Sequence, residues 1–289
     1  MNKKNMKTIF MGTPEFAIES LNALHEKVEL VAIVTQPDRP KGRGHKLQPS
    51  PVKEWALNHS IKVFQPEKIK TEEFLKILEE LKPDLIVVVA FGQILSQKIL
   101  NLPKYGCINV HASLLPRYRG AAPIEWSLIN GEKKTGVTTM MMDKGLDTGD
   151  MLIKREIEID NDMILPELHD KLKKLGAEAL IETIEKIENG TLERIKQDDS
   201  QSNYAPMLTK ETGLIDWNKS PRKIHNLIRG LYGGAYTIIE GQKYKIWRTK
   251  LNGDKLEILE IQAQNSKKMS FDEFKRGHKN FTLPMIGGD

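Results

Sequence analysis

The sequence has little cysteine and no long apolar run. Cys107 is the one cysteine among 289 residues, which excludes an intrachain disulfide and a metal site built from several cysteines. The longest apolar run, residues 85–91, has the length of a strand and is too short to span a bilayer. Residues 1–8 lack the apolar stretch of a secretory signal and the Arg/Ser bias of a transit peptide. These absences predict a cytoplasmic protein that has no membrane partner.

Positive charge is unevenly distributed along the chain. Residues 207–289 contain 15 Lys/Arg and 9 Asp/Glu, a balance of +6, whereas the whole chain carries +5. The remaining residues therefore have a balance of −1, and the basic excess favours a polyanionic partner for the last part of the chain. A lysine-rich solvated surface explains the same charge equally well, so charge alone leaves both interpretations open.

The first half of the chain alternates strand and helix patterns. We expect strands at residues 7–11, 29–35, 84–90 and 106–111, and helices at 14–24, 51–58 and 72–81. Thr13 is placed to cap the first helix, with Pro14 as its first residue. The run DLIVVVA is typical of a strand covered on both faces. This order predicts an α/β fold with a doubly wound, mostly parallel sheet, which binds ligands beyond the carboxyl ends of its strands.

The pattern changes in the second half. Strand-like segments at 135–141 and 151–159 flank a turn, and a long helix is predicted over 166–189. The polar stretch 191–210 indicates a linker. Short strands at 236–239, 243–247 and 255–261 then predict a small β-rich domain. We therefore expect a catalytic domain over 1–190, a linker over 191–210 and a second domain over 211–289.

Three polar signals lie close to predicted strand ends. Asn109 and His111 fall on one face of a strand, because side chains alternate along a strand. Residues 113–116 (SLLP) follow that strand directly. The glycine-containing turn 143–150 carries Asp147 near its tip, and its glycines permit a tight backbone.

An amide, an imidazole and a carboxylate suit acyl transfer to an amine. The Asn109 side chain can donate to a developing oxyanion, and His111 can stabilise the same charge or relay a proton. Asp147 can manage the proton that leaves the attacking amine. Each residue also has an ordinary structural interpretation, since a histidine at a strand end is more often a hydrogen-bonding residue than a catalyst. Cys107 lies beside the site, and we interpret it as a small core residue.

Longer stretches of sequence then carry a family resemblance. It covers residues 6–277 and is strongest in MGTPEFA (11–17), VTQPDRPKGRGHKLQPSPVKEWA (34–56), INVHASLLPRYRGAAPIEWSLINGEKKTGVTTMMMDKGLDTGDML (108–152) and ELHDKL (167–172). In these segments the chain closely resembles the methionyl-tRNA formyltransferases, a family of folate-dependent formyltransferases. Several motifs in the right order make this resemblance more specific than any one of them.

The resemblance implies a fold, a reaction and a set of residues. The fold would be a Rossmann-like formyltransferase domain followed by a small OB-like β-barrel. The reaction would move a formyl group from the co-substrate 10-formyltetrahydrofolate to the α-amine of methionine on initiator tRNA. Asn109, His111 and Asp147 match the catalytic set. The positions expected to contact the folate are Ser113, Leu114, Leu115, Pro116, Phe91, Gly92, Asp143 and Gly145.

A basic loop suggests the acceptor. Arg39, Lys41, Arg43 and Lys46 lie on the glycine-containing segment RPKGRGHK, which suits the phosphates of an acceptor stem. A basic loop by itself is more often solvated surface, but its position matches the tRNA-reading insertion of the family. The resemblance therefore implies initiator methionyl-tRNA as the partner of a monomeric enzyme without a metal.

The chain departs from the family in its last domain, which is shorter than expected and lacks a Pro-Trp pair within residues 231–235. Alternative interpretations are a sugar-nucleotide N-formyltransferase, a formyltetrahydrofolate hydrolase on the same scaffold, and a non-enzymatic RNA-binding protein. The basic loop argues against the first two alternatives, and the complete Asn109, His111 and Asp147 set argues against the third.

Overall fold

The computed structural model describes residues 6–41 and 46–284 and contains both strands and helices. The strands are β1 (Lys7–Gly12), β2 (Glu29–Val34), β3 (Arg39–Lys41), β4 (Lys46–Gln48), β5 (Val63–Phe64), β6 (Leu85–Val89), β7 (Cys107–His111), β8 (Arg119–Gly120), β9 (Lys134–Met141), β10 (Met151–Glu158), β11 (Tyr204–Ala205), β12 (Tyr236–Ile239), β13 (Gln242–Asn252), β14 (Lys255–Ala263) and β15 (Met269–Ser270). The helices are α1 (Ile18–Lys27), α2 (Pro51–Asn58), α3 (Glu72–Leu81), α4 (Gln97–Leu100), α5 (Pro123–Ile129), α6 (Leu165–Asn189), α7 (Pro221–Leu231) and α8 (Phe271–Gly277). In the described part of the chain, no helix is long and apolar enough to cross a membrane.

A seven-stranded sheet forms the centre of the first compact unit. Its order is β10-β9-β7-β6-β1-β2-β5. The five strands from β7 to β5 are parallel, and β9 is antiparallel to β7. The sheet is therefore mostly parallel, and the predicted α/β class is confirmed.

The strand β6 is buried along its whole length, as its continuous apolar sequence predicts. On one face of the sheet, Ile86, Val88 and Cys107 belong to a single apolar cluster. Burial raises the pKa of the Cys107 thiol to about 12, so this cysteine is a core residue and is not a candidate nucleophile.

The ends of several helices follow from capping residues. Ser50 accepts a hydrogen bond from the Lys53 amide at the start of α2, and Thr71 caps α3 in the same way. The predicted cap at Thr13 is wrong, because α1 begins only at Ile18 after a turn of 3₁₀ helix. The Thr13 hydroxyl instead donates to the Phe91 carbonyl oxygen at 3.2 Å, which ties the end of β1 to the loop after β6.

Each of the two compact units is made of three separate segments of the chain. The first contains the described residues of 1–119, 136–156 and 170–203, and the second contains 120–135, 157–169 and the described residues of 204–289. The predicted domain boundaries at residues 190 and 211 stay a prediction.

The second unit is built on a short antiparallel sheet in the order β12-β13-β14-β15. Its core lies between this sheet and the helices α7 and α8, with Ile228, Ile246 and Phe274 buried at its centre. The sheet confirms the expected short domain with antiparallel strands. The sequence patterns predicted its first three strands but not α7 or α8.

Buried polar groups join α7 to residues 157–169 of the same unit. The Asn161 carbonyl oxygen can only accept, so His225 Nε2 donates to it at 3.0 Å, and Nδ1 lies 2.9 Å from the Thr249 hydroxyl. Burial lowers the pKa of His225, which favours the neutral ring, and in that ring Nδ1 accepts from the Thr249 hydroxyl. The Arg229 guanidinium donates to the Asp160 carbonyl oxygen at 3.0 Å.

Candidate active site

The three predicted catalytic side chains converge in the first unit. Asn109 and His111 lie on the same face of β7, as the strand periodicity predicts. The Asn109 Nδ2 donates to Asp147 Oδ1 at 3.5 Å, and His111 Nδ1 lies 3.7 Å from Asp147 Oδ2. One carboxylate therefore faces both an amide and an imidazole, and all three side chains are largely shielded from solvent.

The antiparallel strand β9 explains how Asp147 reaches this position. Because Ile108 of β7 is paired with Met141 of β9, the loop after β9 starts level with the amino end of β7. The loop then folds back until Asp147 lies against Asn109 and His111. The site is therefore built beside the end of β7 by a returning loop, and the parallel-sheet rule alone does not place the carboxylate there.

The tautomer of His111 follows from its other partner. The ring nitrogen Nε2 lies 2.8 Å from the Tyr118 carbonyl oxygen, which can only accept a hydrogen bond. Nε2 must therefore carry a proton. In the neutral ring, Nδ1 then presents a lone pair to the side where Asp147 lies, and in the charged ring it presents a proton.

The loop 142–150 has a tightly determined backbone. The Asp143 carboxylate accepts from the Gly145 amide at 2.9 Å and from the Thr148 hydroxyl at 2.7 Å. Asp147 has a φ of +55°, a left-handed conformation that aspartate tolerates better than most residues. At Gly149 a Cβ atom would lie 1.8 Å from the Met141 carbonyl oxygen, so only glycine fits. Asp143 itself is exposed and acts here through the loop it orders.

The segment Ser113–Pro116 lies directly after β7. Thr138 donates to the Ser113 carbonyl oxygen at 2.7 Å and accepts from the Leu115 amide at 3.1 Å. The Leu115 side chain is fully buried with Met140, so it supports the segment from beneath. Leu114 and Pro116 are half-buried, and the peptide bond between Leu115 and Pro116 is cis.

Phe91 and Gly92 follow β6, the strand next to β7. The Phe91 side chain is buried, and its carbonyl oxygen accepts hydrogen bonds from Thr13 and Gln36. Gly92 has a φ of +85°, which favours glycine. Beyond it, Ile94 is 67% exposed, which is unusual for a large apolar side chain beside a polar site.

The basic loop is described only in part. Its two arms form an antiparallel pair, with Arg39 opposite Gln48 and Lys41 opposite Lys46, and Arg39 is exposed. Arg43 lies outside the described residues.

The base of this loop is anchored by Asp38. The hydrogen bond from Lys53 at 2.6 Å, together with one from Gln65 at 2.8 Å, lowers the pKa of the Asp38 carboxyl. The carboxylate therefore stays charged while it holds the start of the hairpin.

Sequence patterns missed the residues that support the site from the segment 191–210. The composition of this segment predicts a polar linker, yet Gln197 and Arg119 are buried and hydrogen-bonded to each other. Nothing in the local sequence distinguishes a buried glutamine from an exposed one. Within residues 6–41 and 46–284, no group of three His, Cys, Asp or Glu residues is arranged to hold a metal ion.

Comparisons with known proteins find matches for both parts of the chain. The formyl transferase family matches residues 6–184, and the formyl transferase C-terminal domain matches residues 207–255. The chain is 52% identical to a methionyl-tRNA formyltransferase of Acetivibrio thermocellus, over 95% of this chain and 97% of that protein. It is 51% identical to a methionyl-tRNA formyltransferase of Ruminiclostridium cellulolyticum, over 98% of this chain and all of that protein.

Solved structures agree on the fold. A 4-N formyltransferase from Francisella tularensis superposes with a TM-score of 0.67 at 26% identity, over 86% of this chain and all of that chain. A methionyl-tRNA formyltransferase from Clostridium thermocellum superposes with a TM-score of 0.59 at 18% identity, over 89% of this chain and 98% of that chain. From the family matches and the near full-length identity to its relatives, the chain belongs to the formyl transferase family, and within it to the methionyl-tRNA formyltransferases.

Proposed function

We propose that the protein transfers the formyl group of 10-formyltetrahydrofolate to the α-amine of methionine on initiator methionyl-tRNA, which gives N-formylmethionyl-tRNA for translation initiation. The relatives named methionyl-tRNA formyltransferase are about half identical to the chain over nearly its whole length. The observation that carries the chemistry is the Asp147 carboxylate, which lies between the Asn109 amide and the His111 ring.

Asn109 is suited to stabilise the oxyanion that forms when the amine attacks the formyl carbon. Its hydrogen bond to Asp147 is 3.5 Å, which is long for an N–H···O bond. Breaking this weak bond to donate to the oxyanion therefore costs little free energy. Donors held in place before the reaction stabilise such charge without reorganising. His111 lies two residues further on the same face and can stabilise the same oxygen.

Asp147 is suited to manage protons. The attacking amine loses a proton when the new C–N bond forms, and N10 of the folate gains one when its bond to the formyl carbon breaks. A carboxylate in reach of the amine can accept the first proton directly or through water and pass a proton on to N10. The Tyr118 carbonyl oxygen keeps the His111 proton on Nε2. The Nδ1 atom is therefore the ring nitrogen that can exchange a proton with groups on the Asp147 side.

The loops around the site fit a folate donor. One relative of similar fold, a sugar 3N-formyl transferase, was solved with 5-N-formyl-THF and dTDP, at 20% identity to this chain. In this chain, exposed apolar side chains stand on two of the loops named from the sequence, Ile94 at 67% and Leu146 at 55% exposure. Apolar surface beside polar groups is typical of a site for a flat heterocyclic ligand.

The individual folate contacts belong to the same proposal. The residues proposed to contact the folate lie on three loops: Ser113, Leu114 and Pro116 after β7, Phe91 and Gly92 after β6, and Asp143 and Gly145 after β9. Leu115 supports the first of these loops from beneath. The donor supplies the formyl carbon, and no metal takes part.

Binding of the tRNA substrate is assigned to the basic regions of the chain. Arg39, Lys41, Arg43 and Lys46 supply four cations within the sequence segment 39–46. Cations at such a surface bind phosphates by releasing counterions, which makes the affinity fall with salt. The basic excess of residues 207–289 adds a second stretch of positive charge along the chain, and the protein acts as a monomer.

The test is a formyl-transfer assay with 10-formyltetrahydrofolate and charged initiator tRNA, run beside a sugar-nucleotide amine. We expect product with the tRNA and none with the sugar nucleotide, and the reverse outcome would assign the chain to sugar formylation. Arg43→Ala should raise KM for tRNA and leave kcat nearly unchanged, because it removes binding made before and during the reaction. Arg194→Ala, an exposed cation outside the hairpin, is the matched control.

A further inference from the structure

Gln197 contacts the backbone on both sides of the proposed catalytic carboxylate. Its Nε2 donates to the Asp147 carbonyl oxygen at 2.8 Å and to the Gly149 carbonyl oxygen at 2.7 Å. Gln197 is 6% exposed, so water cannot readily take the place of these hydrogen bonds and their loss costs free energy. Both protons of one buried amide are therefore used to fix the peptide chain that carries Asp147.

Arg119 determines which way the Gln197 amide points. The Arg119 Nε and Nη2 atoms both donate to Gln197 Oε1, at 3.0 and 2.8 Å. A guanidinium has no acceptor, so the amide oxygen must face it and the NH₂ group must face the loop. Arg119 is 2% exposed, and its Nη2 also donates to Asp199 at 2.7 Å.

Asn203, in the same segment as Gln197, bonds to residues near His111. The Asn203 side-chain oxygen accepts from the Tyr118 amide, and the Asn203 carbonyl oxygen accepts from the Arg119 amide at 3.0 Å. Tyr118 is the residue whose carbonyl oxygen fixes the tautomer of His111. Residues 197–203 are thus bonded both to the loop of Asp147 and to the residues that orient His111.

We propose that Gln197 is a positioning residue, which acts through the peptide backbone to hold Asp147 at its distance from Asn109 and His111. Asp147 has a φ of +55°, and few L-residues keep this conformation unless neighbouring bonds support it. The two bonds from Gln197 supply that support. The inference rests on the proposed function, since it assigns Gln197 to the same reaction.

The decisive variant is Gln197→Glu. It keeps the size of the side chain and an acceptor for Arg119, but it replaces the two N–H donors by an oxygen that faces two carbonyl oxygens. Gln201→Glu adds the same charge to an exposed glutamine of the same segment and is the matched control.

With wild type as reference, we expect kcat of Gln197→Glu to fall about tenfold to a hundredfold, the range that a misplacement of about 1 Å causes. The KM for tRNA should change less than about threefold, because the basic hairpin lies on a different loop. The KM for folate should rise, because Asp143 and Gly145 lie on the loosened loop, so kcat is measured at saturating folate. The pH dependence of kcat should also shift, which loss of folded protein alone does not cause. Unchanged kcat, or equal activity in both variants, overturns the proposal.

A second measurement does not depend on activity. Hydrogen exchange of the amides in residues 143–149 should be faster in Gln197→Glu than in wild type and in Gln201→Glu. If wild type shows no formyl transfer to methionyl-tRNA, the proposed function fails, while faster exchange still supports the positioning role and unchanged exchange overturns it. If Gln197→Glu does not fold, the neutral variant Gln197→Met is measured in the same two ways.

Discussion

Replacing Thr138 by valine removes one hydroxyl that serves two buried backbone groups. Thr138 donates to the Ser113 carbonyl oxygen at 2.7 Å and accepts from the Leu115 amide at 3.1 Å. Thr138, Ser113 and Leu115 have no exposed surface, so water cannot take over either bond. Valine has nearly the same shape, and the loss of the two partners is therefore the main effect of the change.

The magnitude follows from these two groups. A buried backbone group left without a partner costs about 1–3 kcal/mol, and the two together cost roughly 2–6 kcal/mol. The new methyl group offsets roughly 1 kcal/mol by burial. We expect a net loss of about 3 kcal/mol, which lowers Tm by roughly 6–12 °C for a chain of this size.

The assay is thermal unfolding followed by circular dichroism, with two further variants. Thr138→Ser keeps the hydroxyl and loses one methyl, so it should cost only about 1 kcal/mol. Thr191→Val replaces an exposed threonine and should change Tm by roughly 1 °C or less. If Thr138→Val is as stable as Thr138→Ser, the hydroxyl does not hold Ser113 and Leu115 in place and the reasoning is refuted.

Three further predictions concern single groups. Asn109→Ala should lower kcat roughly 10²–10³-fold in the formyl-transfer assay, as expected for a lost oxyanion donor, and unchanged turnover would remove Asn109 from the mechanism. In Lys53→Met, NMR titration should show the pKa of Asp38 rising from its lowered value toward 3.8. In wild type the Lys53–Asp38 pair stabilises the fold fully above pH 3.8, and this stabilisation disappears as the pH falls through the lower folded pKa of Asp38. Identical Asp38 titrations in wild type and Lys53→Met would contradict this. Cys107 has a pKa raised to about 12 by burial, so a thiol reagent at pH 8 should label it only after unfolding, and rapid labelling of the native protein would contradict its burial.

The sequence by itself determined the features that depend on near neighbours. The α/β order, the fully buried strand β6 and the helices α2 and α3 follow from apolar spacing and capping residues within about ten positions. The shared face of Asn109 and His111 follows from the alternation of a single strand. The family resemblance then indicated the reaction.

Tertiary structure alone decided the features that depend on distant residues. The Thr13 hydroxyl pairs with a carbonyl oxygen 78 residues away, although its local sequence is that of a helix cap. The Gln197 amide binds the loop of Asp147 across 50 residues, although its own segment is polar and resembles a linker. A hydrogen-bonding side chain carries no local sign of its partner, because the same amide or hydroxyl satisfies water, a cap or a distant peptide group. The sequence therefore identified the three catalytic candidates, and the fold determined what holds them together.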